Sequence, residues 1–233
     1  MPTTFALIPG AGGSAWFWHR VTPLLTATGA TVIPVGLPAD DDAADLTTYA
    51  DVVTDAVAEV SGPLVLVGQS MGAFTAPMVA TRVPTAHIVL VNPMVPTTGE
   101  SGGQWWENTG QRAARIAYFQ EIGLSRTDFD PVEDFFHDVP QSVRDEAFSQ
   151  LEPRQSDTPF DRPWPLAAWP DVPTRVIAGS EDRLFPLEFQ RRVVRERLGL
   201  EVEVMPGGHL LALSRPQELV DLLVDSATSR RTT

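Results

Sequence analysis

Short apolar runs alternate along this chain with stretches in which apolar residues recur every three or four positions. The run at 64–67, Leu-Val-Leu-Val, is wholly apolar and half of it is β-branched, which is typical of a strand buried on both faces. In the stretch before it the spacing predicts one face of a helix, formed by Leu46, Tyr49, Ala50, Val53, Val57 and Val60. Gly62 and Pro63 separate the two elements.

The same alternation recurs from end to end. The sequence predicts strands at 4–8, 31–35, 64–67, 88–91, 175–178 and 202–205. It predicts helices at 16–27, 46–60, 72–82, 187–198 and 216–226, with a frayed tail over 226–233. Strands that alternate with helices favour an α/β fold, in which a mostly parallel sheet is flanked by helices on both faces.

The pattern changes between residues 94 and 169, where proline, glycine and aromatic residues are dense. Helical pieces at 111–121 and 143–151 alternate there with loops. We interpret this segment as an insertion at the end of a strand, in the region where α/β sheets bind ligands. In this interpretation the remaining residues, 1–93 and 170–233, form the core of the fold.

Composition narrows the possible partners and chemistry. Asp and Glu number 30 against 17 Lys and Arg, so the formal charge is −13 and the surface repels nucleic acid and anionic lipid. The chain has no cysteine, which excludes disulfides, thiolate metal sites and cysteine nucleophiles. No apolar run approaches the roughly 18 residues that span a bilayer, and the start lacks the pattern of a signal peptide. We therefore expect a cytoplasmic protein.

The strongest chemical signal is the segment 68–72, Gly-Gln-Ser-Met-Gly, which directly follows a predicted strand and opens a predicted helix. A tight strand-to-helix turn of this kind exposes the hydroxyl of its serine at the edge of a sheet. The glycines on either side allow neighbouring backbone to approach closely. This context predicts that Ser70 is a nucleophile.

A serine nucleophile needs a general base, and the chain has four histidines. His19 lies within a predicted helix, His87 lies at the amino-terminal end of a strand, and His137 lies in the insertion. His209 follows the last predicted strand after Pro-Gly-Gly, which places it beyond the carboxyl end of that strand and within reach of Ser70. We predict that His209 is the base.

The acid that orients the base should follow another strand, between the serine and the histidine in chain order. The segment 179–182, Gly-Ser-Glu-Asp, follows the strand at 175–178 and offers Glu181 and Asp182. After the strand at 88–91 the corresponding residue is Asn92, which carries no charge. On the pattern alone, both acids of the segment 179–182 are candidates.

An oxyanion hole requires two backbone N–H groups that point to the developing negative charge. One should belong to Met71, the residue after the serine. The other should come from the glycine-rich loop at 9–13, where Ala11 is the candidate. This loop lacks the lysine of a phosphate-binding P-loop and does not match Gly-x-Gly-x-x-Gly.

Four segments together resemble the α/β-hydrolase superfamily, and within it the branch of small esterases and hydroxynitrile lyases typified by plant methyl ester esterases. Those segments are 8–18 (Ile-Pro-Gly-Ala-Gly-Gly-Ser-Ala-Trp-Phe-Trp), 68–72, 182–190 (Asp-Arg-Leu-Phe-Pro-Leu-Glu-Phe-Gln) and 207–209 (Gly-Gly-His). The resemblance covers nearly all of the chain apart from the middle of the insertion. It implies that the acid is Asp182 and that segment 94–169 is a helical cap over the active site.

The sequence departs from that branch in two respects. The first loop usually begins His-Gly, whereas this chain has Pro9-Gly10; proline has no N–H to donate, but the expected donor is Ala11. Cyanohydrin-cleaving members carry a threonine in this loop and a lysine directly after the catalytic histidine, and here those positions are Gly10 and Leu210. The resemblance therefore implies that lyase activity of that kind is absent. Dehalogenases and epoxide hydrolases resembling this chain carry an aspartate where Ser70 stands.

The predicted function is that of a serine hydrolase, which cleaves a small carboxylic ester through an acyl-enzyme with Ser70, Asp182 and His209 as its triad. The aromatic residues of the insertion favour a partly apolar small-molecule substrate. Two alternatives use the same residues: a triad-based C–C hydrolase, lyase or lactonase, and a ligand-binding protein with slow turnover. None of these hypotheses implies a metal or an organic cofactor, and the sequence indicates no oligomeric state.

Overall fold

The computed structural model describes residues 1–150 and 154–228. Within them six strands form one parallel sheet: β1 (Thr4–Ile8), β2 (Thr31–Pro34), β3 (Leu64–Gln69), β4 (His87–Val91), β5 (Thr174–Gly179) and β6 (Val202–Met205). The strand order across the sheet is β2-β1-β3-β4-β5-β6, and every neighbouring pair is parallel. The predicted α/β fold with a mostly parallel sheet is confirmed.

Helices follow the strands on both faces of this sheet. In chain order they are α1 (Val21–Ala27), α2 (Leu46–Ala56), α3 (Gly72–Ala80), α4 (Gly102–Asn108), α5 (Gln111–Glu121), α6 (Pro131–Phe135), α7 (Gln141–Ser149), α8 (Thr158–Asp161), α9 (Leu187–Leu198), α10 (Leu211–Ser214) and α11 (Pro216–Thr228). Residues of α2, α3 and α9 pack on one face of the sheet, and residues of α1, α10 and α11 pack on the other.

The apolar side chains of strand β3 pack against the helices on both faces of the sheet. Leu64 and Leu66 belong to the cluster with α2, α3 and α9, whereas Val65 and Val67 belong to the cluster with α1 and α11. Because successive side chains of a strand point to opposite faces, a central strand must be apolar at every position. Each of these fully buried side chains stabilises the fold by roughly 1.5–3 kcal/mol. The central strand is therefore a rigid support for the turn that follows it.

The predicted helix at 16–27 is wrong as a single element. The structure has a short 3₁₀ helix at Ala15–Trp18 and a separate α1 that begins at Val21. In a continuous helix Pro23 would clash with the carbonyl group four residues earlier, whereas in the first turn of α1 it is tolerated. The break allows Trp18 to be buried against the sheet, while Trp16 and Phe17 line a cavity.

Among its described residues, the segment between β4 and β5 contains five helices, α4 to α8, of which the sequence predicted two. The predicted helix at 111–121 has those bounds, and the one at 143–151 is α7, Gln141–Ser149; residue 151 lies outside the described residues. Part of the segment belongs to the main core, because Trp105 and Trp164 are buried in the cluster with α2 and α3. The division into 1–93 and 170–233 as core and 94–169 as a cap stays a prediction.

At the end of the described chain, α11 continues two residues beyond the predicted helix, to Thr228. The rest of the predicted frayed tail, 229–233, lies outside the described residues. None of the helices described here is both long enough and apolar enough to span a membrane.

Candidate active site

The loops that carry the predicted site residues meet at one edge of the sheet. Because the six strands are parallel, the loops after β1, β3, β5 and β6 all leave from the edge formed by the strands' carboxyl ends. Those loops hold Ala11, Ser70, Asp182 and His209 respectively. This edge is where α/β sheets bind ligands.

Ser70 occupies a strained turn between β3 and α3. Its φ angle is +49°, a left-handed conformation that costs a non-glycine residue about 1–3 kcal/mol. Backbone hydrogen bonds hold the turn: the Ser70 N–H donates to the Val91 carbonyl at 3.0 Å, and the Ser70 carbonyl accepts from the Met94 N–H at 3.0 Å. The next strand and the residues after it therefore fix the position of the serine.

The two glycines of the motif are required by close contacts within this turn. A Cβ on Gly68 would lie 2.8 Å from the carbonyl oxygen of Gly72, and a Cβ on Gly72 would lie 2.9 Å from the carbonyl oxygens of Ile8 and Pro9. These neighbours are backbone atoms, so they cannot move aside as a flexible side chain can. Glycine at both positions lets α3 start directly beside β1, and this places Ser70 next to the glycine-rich loop.

The structure places Asp182, and not Glu181, against the predicted base. The Nδ1 atom of His209 lies 2.8 Å from Oδ2 of Asp182, and both side chains are buried, with 1% and 0% of their surface exposed. Glu181 is exposed. The other carboxylate oxygen of Asp182, Oδ1, accepts hydrogen bonds from the backbone N–H groups of Leu184 and Phe185, at 2.8 and 2.9 Å. These bonds hold the carboxylate so that it faces the imidazole.

This arrangement determines which imidazole nitrogen carries the proton. An ionised carboxylate only accepts hydrogen bonds, so Nδ1 of His209 donates its proton to Asp182. The Nε2 atom then carries no proton, which is the state that a general base for Ser70 requires. The rings of Phe135 and Phe185 lie 5.2 and 5.0 Å from the imidazole, measured between centroids, and shield it from solvent.

Asn92 joins the loops that carry the acid and the base, a role that the sequence analysis missed. Its Nδ2 donates to the carbonyls of Gly208 and His209, both at 3.0 Å, and its Oδ1 accepts the Gly179 N–H at 2.8 Å. The side chain is fully buried, and the residue has a φ angle of +44°. An asparagine directly after a buried strand was a usable signal, because asparagine is enriched at positive φ.

The serine hydroxyl is not the group that contacts the base in this structure. The side-chain Nε2 of Gln69 lies 3.3 Å from Nε2 of His209. Within residues 1–150 and 154–228, the Ser70 hydroxyl makes no hydrogen bond to that nitrogen. Catalytic hydrogen bonds of this kind often tighten only when substrate binds.

The backbone N–H groups of the two predicted oxyanion donors are not used by the described part of the fold. No acceptor within the described part of the chain receives the backbone N–H of Ala11 or of Met71. The adjacent Gly12 N–H is already engaged, because it donates to Oε1 of Gln155 at 2.8 Å. Gln155 comes from the segment between β4 and β5, so that segment fixes the conformation of the glycine-rich loop.

Two cavities are lined in part by Ala11 and Gly12. The smaller has a volume of about 200 Å³ and apolar walls formed by Trp16, Phe17, Phe136, Phe148, Leu210 and Leu213. The larger has a volume of about 520 Å³ and is lined by residues that include Pro131, Val132, Phe135 and Phe148. Among the described residues, no charged side chain lines either cavity. Both therefore suit neutral, apolar groups.

Two of the other three histidines lie away from the proposed chemistry, whereas His137 lies beside Gly208, the residue before His209: a Cβ on Gly208 would be 2.5 Å from its Nε2. His19 caps the short 3₁₀ helix, and its Nδ1 lies 2.8 Å from the Trp16 carbonyl. His87 starts β4 at the opposite edge of the sheet, where burial, with a contribution from Arg175, lowers its pKa. His137 belongs to the segment between β4 and β5, and its Nε2 is buried without a partner among the described residues.

Comparison with known proteins identifies the family of this chain. Residues 5–222 match the model of the alpha/beta hydrolase family. Methylesterase 3 of Arabidopsis thaliana is 25% identical over 250 residues, which cover 95% of this chain and 94% of the relative. A pyrethroid hydrolase of Sphingobium wenxiniae is 27% identical over 246 residues, covering 97% of this chain and 88% of the relative. The predicted resemblance to plant methyl ester esterases is confirmed.

Solved structures show the same fold. The crystal structure of polyneuridine aldehyde esterase superposes with a TM-score of 0.78 at 20% identity, covering 97% of this chain and 99% of that one. That of a pyrethroid hydrolase from Sphingobium faniae superposes with a TM-score of 0.76 at 20% identity, and all of both chains is covered. The family match extends over nearly the whole chain, from residue 5 to residue 222. The chain therefore belongs to the alpha/beta hydrolase family.

Proposed function

We propose that this protein hydrolyses a small carboxylic ester through an acyl-enzyme formed on Ser70. The observation that carries the proposal is the buried pair of Asp182 and His209, 2.8 Å apart, whose hydrogen bond leaves Nε2 of His209 unprotonated beside the strained serine turn. The relatives named methylesterase and pyrethroid hydrolase support ester cleavage as the reaction.

In the first half of the reaction, Nε2 of His209 takes the hydroxyl proton of Ser70 as Oγ attacks the ester carbonyl carbon. The carbonyl oxygen becomes an oxyanion, which accepts hydrogen bonds from the backbone N–H groups of Ala11 and Met71. When the C–O bond to the alcohol breaks, the imidazolium returns its proton to the leaving oxygen. Asp182 stabilises the imidazolium without taking a proton itself.

In the second half, water replaces the alcohol. Nε2 of His209 takes a proton from the water as its oxygen attacks the acyl carbon. The bond from the acyl carbon to Ser70 Oγ then breaks, and Oγ regains the proton from the imidazolium. The acid is released, and every group of the enzyme returns to its starting state.

The cavities support a neutral, largely apolar substrate. Both are lined by Ala11, one of the proposed oxyanion donors, so an ester carbonyl held there would lie beside apolar walls that suit its acyl or alcohol group. Leu210 lines the smaller cavity at the position where cyanohydrin-cleaving members carry a lysine. This apolar wall supports ester hydrolysis over that lyase reaction.

The test is hydrolysis of p-nitrophenyl acetate, butyrate and octanoate by the wild type and by Ser70→Ala. We expect the loss of the nucleophile to lower kcat by about a million-fold. Ser214→Ala is the matched control, because Ser214 Oγ is buried and has no partner among the described residues. Wild-type turnover that persists in Ser70→Ala would contradict the proposal. Turnover of none of the esters by the wild type would favour lactone or C–C bond cleavage, or ligand binding.

A further inference from the structure

A side chain from the segment between β4 and β5 anchors the loop that carries one of the proposed oxyanion donors. Oε1 of Gln155 accepts a hydrogen bond from the backbone N–H of Gly12 at 2.8 Å, although the two residues are 143 positions apart. We propose that Gln155 is a positioning residue, which holds the glycine-rich loop so that the N–H of Ala11 faces the oxyanion. The inference rests on the proposed ester hydrolysis, because it concerns the same site.

Residues 10–13 of this loop form a type II turn. The Gly13 N–H donates to the Gly10 carbonyl at 3.1 Å, which closes the turn. The third residue of the turn, Gly12, has a φ angle of +85°, whereas the φ angle of Ala11 is not positive. This combination defines a type II turn. The peptide between Ala11 and Gly12 is therefore the central peptide of the turn, and it carries the anchored N–H.

The same four residues could also close a type I turn, in which the central peptide is rotated by about half a turn. That rotation would exchange the directions of the Gly12 N–H and the Ala11 carbonyl. The carbonyl oxygen would then face Gln155 and the larger cavity, which Ala11 and Gly12 also line. Its partial negative charge, beside the Ala11 N–H, would repel an oxyanion. The hydrogen bond to Gln155 therefore selects the turn that suits the proposed reaction.

The neighbours of Gln155 determine which end of its amide faces the loop. Its Nε2 lies 2.9 Å from the Ser156 carbonyl, which only accepts hydrogen bonds, and 3.2 Å from the Tyr49 hydroxyl. Tyr49 and Ser156 are both buried, and the Ser156 N–H donates to the Ala39 carbonyl at 2.7 Å. Because the amide nitrogen is held on that side, the amide oxygen faces the Gly12 N–H.

The other end of the turn lies against the predicted nucleophile. A Cβ on Gly10 would lie 3.0 Å from Cβ of Ser70. The turn is thus fixed on one side of Ala11 by contact with the serine and on the other side by Gln155. A shift of Gly12 would move the Ala11 N–H relative to Ser70. Such a shift weakens an oxyanion hole, because its donors act at about 2.7–3.1 Å from the oxyanion.

The substitution Gln155→Met keeps the length of the side chain but removes both of its hydrogen-bonding groups. Gln104→Met is the matched control, because Oε1 of Gln104 also accepts a backbone N–H, that of Ser101, at 3.0 Å and in the same segment. That bond belongs to the cap of α4, so its loss should lower stability alone. If Gln155→Met does not fold, the second variant is Gln155→Asn, whose amide is one methylene too short to reach the Gly12 N–H.

Two ketone inhibitors separate stabilisation of the oxyanion from binding in the cavities. The carbonyl carbon of an alkyl trifluoromethyl ketone forms a bond with Ser70 Oγ while His209 takes the hydroxyl proton, and the ketone oxygen becomes an oxyanion in the hole. The methyl ketone with the same alkyl chain binds without this bond, so it resembles the ground state. The measurements are both inhibition constants, kcat and KM for p-nitrophenyl butyrate, and unfolding in urea.

We expect Gln155→Met to lower kcat about tenfold with little change in KM, because the oxyanion forms only after the substrate has bound. Complete removal of an oxyanion donor costs more, about 10²–10³ in kcat. The inhibition constant of the trifluoromethyl ketone should rise by the same factor as kcat falls, and that of the methyl ketone should change little. Gln104→Met should lower stability and leave both inhibition constants and both kinetic constants at their wild-type values.

Two results would overturn the role of Gln155. In the first, kcat and the inhibition constant of the trifluoromethyl ketone both stay within about twofold of the wild type in Gln155→Met. In the second, both ketones bind more weakly by the same factor, as expected of a residue that only shapes the cavity. Failure of the proposed function is distinct, because the wild type would then bind the two ketones equally and Ser70→Ala would retain the wild-type rate.

Discussion

Replacing Asn92 with aspartate is expected to destabilise the protein and to displace the proposed base. The substitution Asn92→Asp preserves the size of the side chain and the oxygen that accepts the Gly179 N–H. It replaces the donor Nδ2 with a second oxygen. That oxygen faces the carbonyl oxygens of Gly208 and His209, each 3.0 Å from Nδ2 in the wild type.

The size of the destabilisation follows from the two carbonyl groups that lose their hydrogen-bond donor. A buried carbonyl that loses its donor costs about 1–3 kcal/mol, so the two together cost about 2–6 kcal/mol. Burial raises the pKa of a carboxyl group placed here above its unfolded value, because the site is fully buried and faces two carbonyl oxygens. The folded variant therefore binds its proton at higher pH than the unfolded chain does. Its destabilisation is fully present at neutral pH and decreases as the pH falls.

The assay is urea unfolding at pH 7.5 and pH 5.0, followed by tryptophan fluorescence, together with the rate of p-nitrophenyl butyrate hydrolysis. Asn108→Ala is the control, because Asn108 is exposed and donates one hydrogen bond, to Glu100 at 2.8 Å, which alanine removes without placing a second carboxylate beside Glu100. We expect the control to lose about 1 kcal/mol and to retain activity. If Asn92→Asp is no less stable than this control and hydrolyses the ester at the wild-type rate, Asn92 does not hold the loop of the base.

Three further predictions concern Asp182, the buried Trp105, and His87 at the amino-terminal end of β4. Asp182→Asn should lower kcat about 10⁴-fold while urea unfolding changes little, because the amide no longer favours the Nδ1–H form of His209. Trp105→Ala should destabilise by about 3–5 kcal/mol in the same assay, since its buried ring and the hydrogen bond from Nε1 to the Val95 carbonyl, 2.9 Å long, are both lost. Burial lowers the pKa of His87, so the unfolded chain binds this proton first and the wild type loses stability as the pH falls below about 6.5. His87→Gln should lack this loss, which unfolding at pH 7.5 and 5.5 would detect as a smaller difference between the two values.

Local sequence was sufficient to predict most of the helices and strands and the turn that carries Ser70. The run at 64–67 is apolar at every position because it is covered on both faces, and that pattern is visible without the structure. The glycines at 68 and 72 are required by contacts within one turn and with the adjacent strand, so they appear as a short motif. The error at 16–27 was also local, since Pro23 excludes a helix that continues unbroken from the turn before it.

The partners of the site residues were decided by the tertiary structure. Asp182 and Glu181 are neighbours of the same chemical class, and only the packing of the loop after β5 buries one and exposes the other. Asn92 and Gln69 carry no recognisable catalytic pattern, yet each contacts the loop of His209, more than 100 positions away in the chain. Such contacts depend on how parallel strands bring their carboxyl ends together. A local pattern of residues determines its own strand or turn, whereas the distance between two loops follows from the packing of the whole sheet.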